Sequence, residues 1–425
     1  MFHPLITNPM KRWIAWPLAF TLGLAIALGL ALPVRSQLVL QPVSPQRLAA
    51  ESPALVGFDD LLESGNPAAA SSPAQERRRL LTAIDYSLQY LRSPAAATAY
   101  ANYPVTGISR DRVRRSLQRF RQLVVASPSA ADLQTAVLRE FEFYQSVGRD
   151  GLGTVDFTGY FEPTYRASRV PTAEFRYPIY RLPPDFDQWQ QSHPTRAQLE
   201  GVDGLQGSQG PLRGLELAWL SDRLEAFLIQ VQGSARLQLT DGSTLTVGFA
   251  GRTDYPYTGI GRALVDDGKL SAEGLTLPNV IAYFRQHPDE QDRYLPRNNR
   301  FIFFRETQGQ PPTGSLSVPV VAERSIATDK SLMPPGALAL IITPLPMPAG
   351  AASAQSTASS IQPTSTPSSP LEQQLVSRFV LDHDTGGAIR GPGRVDIFMG
   401  TGTVAGDRAG LINSPGQLYY LLLRN

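Results

Sequence analysis

Cysteine is absent from the 425 residues. That excludes disulfides, thiol catalysis, cysteine-bearing zinc sites and a lipid anchor built on a cysteine. Histidine is scarce: His3, His193, His287 and His383 are scattered without ligand spacing, so neither a metal nor another cofactor is expected. An excess of charge is missing too. Lys and Arg number 39 against 37 Asp and Glu, a formal net charge of +2, which gives no strong field towards nucleic acid. Nucleic acid is therefore not an expected partner. The length suits one or two domains with a substantial core.

What is present begins with an export signal. Lys11 and Arg12 precede an uncharged apolar run, Trp13 to Leu32, and Pro33-Val34-Arg35-Ser36 follows. This reads as a secretory signal over residues 1–36, cut near Ser36. The run also matches the ~20 residues that span a bilayer, so an uncleaved membrane tether through residues 13–32 is the alternative. Either way the chain is expected outside the cytoplasm, in the periplasm or cell envelope.

Residues 37–75 are rich in Pro, Ala and Ser and read as a low-complexity tether. Helical spacing follows in Leu80, Ile84, Leu88 and Leu91, and again in Val113, Leu117, Phe120 and Val124. The second of these helices carries Arg110, Arg112, Arg114, Arg115, Arg119 and Arg121, a solvated face or a surface for an anionic polymer. A third helix starts at Ser129, capped with Asp132, and its apolar face is expected to run through Phe141 and Tyr144. From Val155 the pattern turns to short strands. Ala226–Ser234 reads as a strand, which would put Gln230 and Gln232 on one face. Asp241-Gly242 turns a hairpin between Leu237–Thr240 and Leu245–Phe249. Helices are expected within 260–294, then strands at 301–304, 317–322, 338–343, 376–381, 395–399 and 418–423. Residues 344–374, without periodicity, read as a disordered insertion loop.

Three aspartates stand out in this β-rich region: Asp329 in Ala327-Thr-Asp329-Lys-Ser, Asp384 before Thr385-Gly-Gly387, and Asp396 in Arg394-Val-Asp396-Ile-Phe. Carboxylates grouped on glycine-punctuated strands can hold a proton near neutral pH, as an acid catalyst must. An Asp beside glycine also stabilises a turn by itself. The residues alone leave both readings open and do not choose among the three.

A series of short motifs in fixed order narrows the reading. Phe157-Thr-Gly-Tyr-Phe-Glu-Pro163, Arg176-Tyr-Pro-Ile-Tyr-Arg-Leu-Pro-Pro184, Val231-Gln-Gly-Ser234 and Tyr257-Thr-Gly-Ile-Gly-Arg262 come first. Thr328-Asp-Lys-Ser331, Pro334-Pro-Gly336, Gly386-Gly-Ala-Ile389 and Ala405-Gly-Asp-Arg-Ala-Gly410 follow. From about Gln145 onwards the chain resembles the membrane-bound lytic murein transglycosylase A family, whose members carry a C-terminal three-aspartate (3D) domain.

The resemblance implies a mainly β fold with N-terminal helices. Helices plus a double-psi β-barrel would occupy 76–157 and 311–425, and a smaller β-rich domain would be inserted at 158–310. A groove between them would take the glycan strands of peptidoglycan. The implied reaction cleaves the β-1,4 bond between N-acetylmuramic acid and N-acetylglucosamine, leaving a 1,6-anhydromuramic end. By family position Asp396 is the acid, with Asp384 and Asp329 in support. Tyr160, Phe161, Gln230, Gln232 and Gly233 match groove-lining motifs, where aromatic faces stack on sugars and amides bond hydroxyls. The chain departs from the family in lacking the lipidated cysteine, in the 344–374 tract and in a longer Gly386–Asp396 segment containing Gly391-Pro-Gly393.

Two rivals stand beside this reading. One is a non-catalytic glycan-binding protein of the same fold. The other is an aspartic peptidase, suggested by Asp384-Thr385-Gly386, although no second Asp-Thr-Gly or Asp-Ser-Gly occurs.

Overall fold

The structure, a computed structural model, describes residues 39–52, 54–349 and 370–424. The expected export segment and residues 350–369 of the expected insertion loop lie outside these. Among the described residues no helix is long and apolar enough to cross a membrane.

The strands are β1 (Leu40–Val43), β2 (Phe141–Ser146), β3 (Val155–Glu162), β4 (Thr164–Ser168), β5 (Tyr177–Tyr180), β6 (Glu216–Leu220) and β7 (Ser234–Leu239). They continue with β8 (Thr244–Arg252), β9 (Ile302–Glu306), β10 (Ser325–Ala327), β11 (Leu338–Pro348), β12 (Leu371–Asp384), β13 (Arg394–Thr401) and β14 (Asn413–Leu423). The helices of the N-terminal part are α1 (Pro45–Glu51), α2 (Asp60–Ser64), α3 (Pro73–Tyr90), α4 (Pro94–Ala101), α5 (Arg110–Ala126) and α6 (Ala130–Glu140). Then come α7 (Arg196–Glu200), α8 (Arg223–Gln232), α9 (Ile260–Asp266), α10 (Leu277–Gln286), α11 (Gln291–Tyr294) and α12 (Thr403–Gly410).

Six strands close on themselves in the order β14-β11-β12-β10-β13-β3, with β3 pairing back to β14. Closure removes the free edges that would otherwise invite pairing with another chain. The β10–β12 and β3–β13 pairs run parallel, as a double-psi barrel requires. β2 and β1 extend the sheet outward from β14. The second sheet, in the order β5-β6-β4-β7-β8-β9, is built from chain lying between β3 and β10.

Local chemistry sets the helix starts. Ser72 and Gln75 form a reciprocal capping box on α3, and Ser109 and Ser129 cap α5 and α6. The apolar face of α5 then meets the barrel: Phe120 stacks edge-on to Phe379 of β12 at 4.7 Å between ring centroids. Both rings are fully buried, and each contributes about 1.5–3 kcal/mol by leaving water. The β7–β8 hairpin turns at Asp241-Gly242 as expected, with Gly242 at φ 85°.

Several expectations are corrected. Residues 39–75 are no tether. β1 pairs with β2, Val56 and Leu61 are buried, and Asp59 is ion-paired to Arg324, with both side chains buried. Half-buried Asp60 reaches the buried Arg378 at 2.9 Å. Composition alone hid these contacts, because their partners lie hundreds of residues away. The expected insertion loop is narrower at both ends: β11 and β12 pair from Leu338↔Leu381 out to Pro348↔Leu371. α6 stops at Glu140, and Phe141 and Tyr144 belong to β2, whose partners fix an extended backbone. Residues 317–322 form turns with one isolated bridge, Thr313↔Pro319, and the nearby strand is β10. The α5 arginines are mostly neutralised: Arg112 bonds Glu142, Arg119 bonds Glu140, Arg121 bonds Asp85, and Arg114 and Arg115 share Asp111.

The largest correction concerns Ala226–Ser234. It is helix α8 up to Gln232, capped by Asp222, whose side chain accepts from the Leu224 and Glu225 amides. A short apolar run has no periodicity that separates a buried helix from a strand, and the Asp222 cap decides for helix. Residues two apart on a helix point in different directions, so Gln230 and Gln232 do not share a face.

Candidate active site

Asp396 sits in β13 between two neighbours, opposite Thr158 of β3 and opposite Ala327 of β10. The residue is half-buried, yet its Oδ1 is shut off from water and has no hydrogen-bond partner. Burial pushes its pKa up to about 7; a bond from Thr158 and the Arg394 charge oppose this, and the Asp384 charge adds to it. A carboxyl group in that state is about half protonated at pH 7, far more than an ordinary Asp, and its Oδ1 is held by no donor among the described residues.

Asp384 ends β12 and is likewise opposite Ala327, in parallel register. Its Oδ2 accepts from the Tyr160 hydroxyl at 2.9 Å, and its Oδ1 accepts from the Ser315 and Thr385 amides, each at 2.8 Å. Burial raises its pKa against the pull of those bonds and of Lys330. Asp329, in the turn after β10, is more tightly committed. Its Oδ1 accepts from the Ser331 amide at 3.1 Å and hydroxyl at 2.6 Å, and its Oδ2 from the Gly391 amide at 2.9 Å. Burial would raise it, but the Ser331 and Gly391 bonds and the Arg390 charge outweigh burial and hold it below the ordinary value.

Tyr160 joins this group from β3, its ring 5.2 Å from that of Phe398. Phe161 turns away to α12, so close that a Cβ on Gly406 would meet its Cε2 at 2.7 Å. Its amide donates to Gln232 Oε1 at 3.0 Å, which ties α8 to β3. Gly233 ends α8 at φ 82°, a left-handed position that suits glycine, with open space where a side chain would stand. Gln230 is not in this group. It is buried, and its Oε1 accepts from Arg196 Nη2 at 2.8 Å and from the Ile302 amide at 3.1 Å.

Sequence reasoning assigned no role to several neighbours. Tyr257, from a motif that carried the resemblance, has its hydroxyl pKa raised by burial and then by the Asp396 charge. Beneath the aspartates, Asp382 pairs with Lys330 and accepts from Thr328 at 2.8 Å and Tyr420 at 2.7 Å. His383 is fixed between the Ser87 and Ser325 hydroxyls at 2.9 and 2.8 Å, and burial pulls its pKa down to about 3, so it is neutral. The polar pair Asp382-His383 thus belongs to a fully buried strand end, which no local pattern announces.

The peptidase reading fails on this geometry. A peptidase dyad shares one proton between two carboxylates, whereas both Asp384 oxygens bond to Tyr160, Ser315 and Thr385, and Asp396 Oδ1 bonds to nothing. Among the described residues no three His, Asp or Glu side chains gather as a metal would need.

Comparison with known proteins agrees with the barrel and its inserted sheet. Residues 156–305 match the MltA specific insert domain, and residues 324–422 match the 3D domain. Over 292 residues the chain is 31% identical to membrane-bound lytic murein transglycosylase A of Escherichia coli strain K12, covering 68% of this chain and 71% of that protein. A crystal structure of membrane-bound lytic murein transglycosylase from Agrobacterium tumefaciens superimposes with a TM-score of 0.65 at 26% identity, over 91% of this chain and 98% of that one. E. coli MltA with bound chitohexaose shares the fold with a TM-score of 0.64 at 23% identity, over 91% of this chain and 95% of that one. The class defined is that of the barrel-and-insert lytic transglycosylases. The chain belongs to the membrane-bound lytic murein transglycosylase A family.

Proposed function

We propose that this protein is a lytic transglycosylase of peptidoglycan in the cell envelope, with Asp396 as its single acid and base. The observation that carries the assignment is the unpartnered, water-shielded Oδ1 of Asp396 together with a pKa of about 7. Protonated Asp396 gives its proton to the glycosidic oxygen as the bond from muramic C1 breaks. The resulting carboxylate then takes the proton of the same sugar's C6 hydroxyl as that oxygen closes on C1. No water enters, and the product is a 1,6-anhydro ring. Intramolecular attack supplies the effective concentration that a second carboxylate would otherwise have to provide.

Asp384 supports Asp396 by like-charge repulsion, and Tyr160 holds Asp384 in place. Asp329 anchors the loop before β13 through Gly391. Tyr160, Gly233 and the Gln232–Phe161 link line the glycan groove, while Gln230 acts at one remove by fixing α8 to β9. The domain division assigned is 76–157 with 311–425 for the barrel and 158–310 for the insert. The separate apolar cores of the barrel and the second sheet support two units, but the barrel core also takes in Leu40, Leu48, Val56 and Leu62, and β3 carries the barrel on to Glu162. The finer localisation proposed is periplasmic, after cleavage near Ser36.

Digestion of purified peptidoglycan tests the reading, with products weighed by mass spectrometry. Anhydromuropeptides from the wild type and none from Asp396→Asn are expected. Products heavier by one water would replace the lytic reaction with hydrolysis, and retention on the glycan without cleavage would leave a binding protein.

A further inference from the structure

Seven arginines are buried among the described residues: Arg112, Arg196, Arg223, Arg300, Arg324, Arg378 and Arg408. All but one have a carboxylate within ion-pair distance. Arg300 is the exception. It is 7% exposed, its Nε donates to the Tyr255 carbonyl at 2.8 Å, and Nη1 and Nη2 have no hydrogen bond or ion pair among the described residues. A buried guanidinium without an anion is unfavourable unless something supplies one.

Two more arginines stand within range of its charge. Arg252, opposite Ile302 in the β8–β9 pair, and Arg390, in the loop after β12, have no carboxylate within ion-pair distance among the described residues either, although the Arg390 charge acts on Asp329. Their charges act on Arg300: burial first, then Arg252 and Arg390, pull its pKa down to about 10, which leaves it charged at neutral pH. The loop backbone lies directly on the guanidinium, since a Cβ on Gly387 would stand 1.8 Å from Arg300 Nη1 and 3.3 Å from Tyr257 Cβ. Tyr257 in turn feels the Asp396 charge. Arg252 thus comes from β8, Arg300 from the segment just before β9 and Arg390 from the loop between β12 and β13, and Tyr257, beside the same loop as Arg300, lies within range of the Asp396 charge.

We propose that Arg252, Arg300 and Arg390 form a carboxylate-binding subsite that seats the anionic substituent of a muramyl residue beside Asp396. A neutral N-acetylglucosamine polymer offers no such group. Muramic acid offers one either as its free lactyl carboxylate or as a carboxylate of the attached peptide. Guanidinium groups bind carboxylates through charge-assisted bonds. The inference rests on the proposed function and deepens it, because it names the part of the substrate that distinguishes muramyl from glucosaminyl sugars.

The test measures binding by the full-length Asp396→Asn protein, alone and with Arg252→Gln or Arg390→Gln added. The probes are peptide-bearing peptidoglycan, peptidoglycan glycan stripped of peptides, and a chito-oligosaccharide. Each arginine change should weaken binding of a carboxylate-bearing probe by roughly tenfold and leave the chito-oligosaccharide as before. Weakening on the stripped glycan assigns the lactyl carboxylate, and weakening on the peptide-bearing form alone assigns the peptide. Equal weakening on all three probes, or on none, overturns the subsite. A wild type that releases no anhydro products overturns the proposed function instead, whereas one that cleaves while the arginine variants bind every probe normally overturns only this inference.

Discussion

Asp384 and Asp396 face each other across a single residue, Ala327, which is the register partner of both on its two sides. Two strand spacings, about 9–10 Å, therefore separate their backbones. The two carboxyls are near enough for the charge of one to raise the pKa of the other, and each has its own partners. Asp384 has both oxygens engaged and Asp396 has one free. The difference assigns the proton to Asp396 and makes the division of roles testable.

Asp396→Asn should remove cleavage, by a factor of about 100 to 10,000 or more, the usual contribution of a positioned acid or base. Binding of the glycan should survive. Turnover of peptidoglycan against retention on it measures both.

The acid must be protonated, so kcat/KM should fall as pH rises above about 7. Asp384→Asn removes the repelling charge, lowers the Asp396 pKa and moves the falling limb to lower pH. A pH–rate profile of the two proteins checks the sign, and an unmoved limb would end the supporting role given to Asp384.

Stability should carry the same signature. The folded-state pKa of Asp396 lies above that of an unfolded Asp, so its favourable contribution is complete below the unfolded value of about 3.9 and is lost as pH rises through about 7. Asp396→Asn, which cannot ionise, should melt above the wild type at pH 8 and close to it at pH 4. Thermal melts at the two pH values give the comparison.

Tyr160→Phe leaves Asp384 Oδ2 without its donor. A lost bond to a buried acceptor costs about 1–3 kcal/mol, and the Asp384 pKa should rise further. Chemical denaturation reads the first effect, and a titration of Asp384 by carbon NMR reads the second.

Arg324→Met strands Asp59, whose carboxylate bonds Arg324 at 2.5 and 3.1 Å with both side chains buried. Breaking such a pair costs about 3–5 kcal/mol. Denaturant melts should show that loss, and protease digestion should release the α2 region before the barrel.

The sequence by itself determined the parts governed by neighbours in the chain. The helical spacing of Val113, Leu117, Phe120 and Val124 placed α5, Ser129 with Asp132 placed the start of α6, Asp241-Gly242 placed a hairpin, and short apolar runs marked β12, β13 and β14, because spacing, caps and turns act over a few residues. The motif series also carried the family. Tertiary structure alone decided the rest. Residues 39–75 looked like a tether until Arg324 and Arg378 were brought to Asp59 and Asp60. Residues 226–234 read as strand until helix α8 formed and sent Gln230 inward to Arg196 and Gln232 to the Phe161 amide. The three aspartates looked alike until folding engaged both oxygens of Asp384 and of Asp329 and left one oxygen of Asp396 dry and unpaired. Proton affinity depends on burial and on charges brought together from distant segments, and those exist only once the barrel has closed.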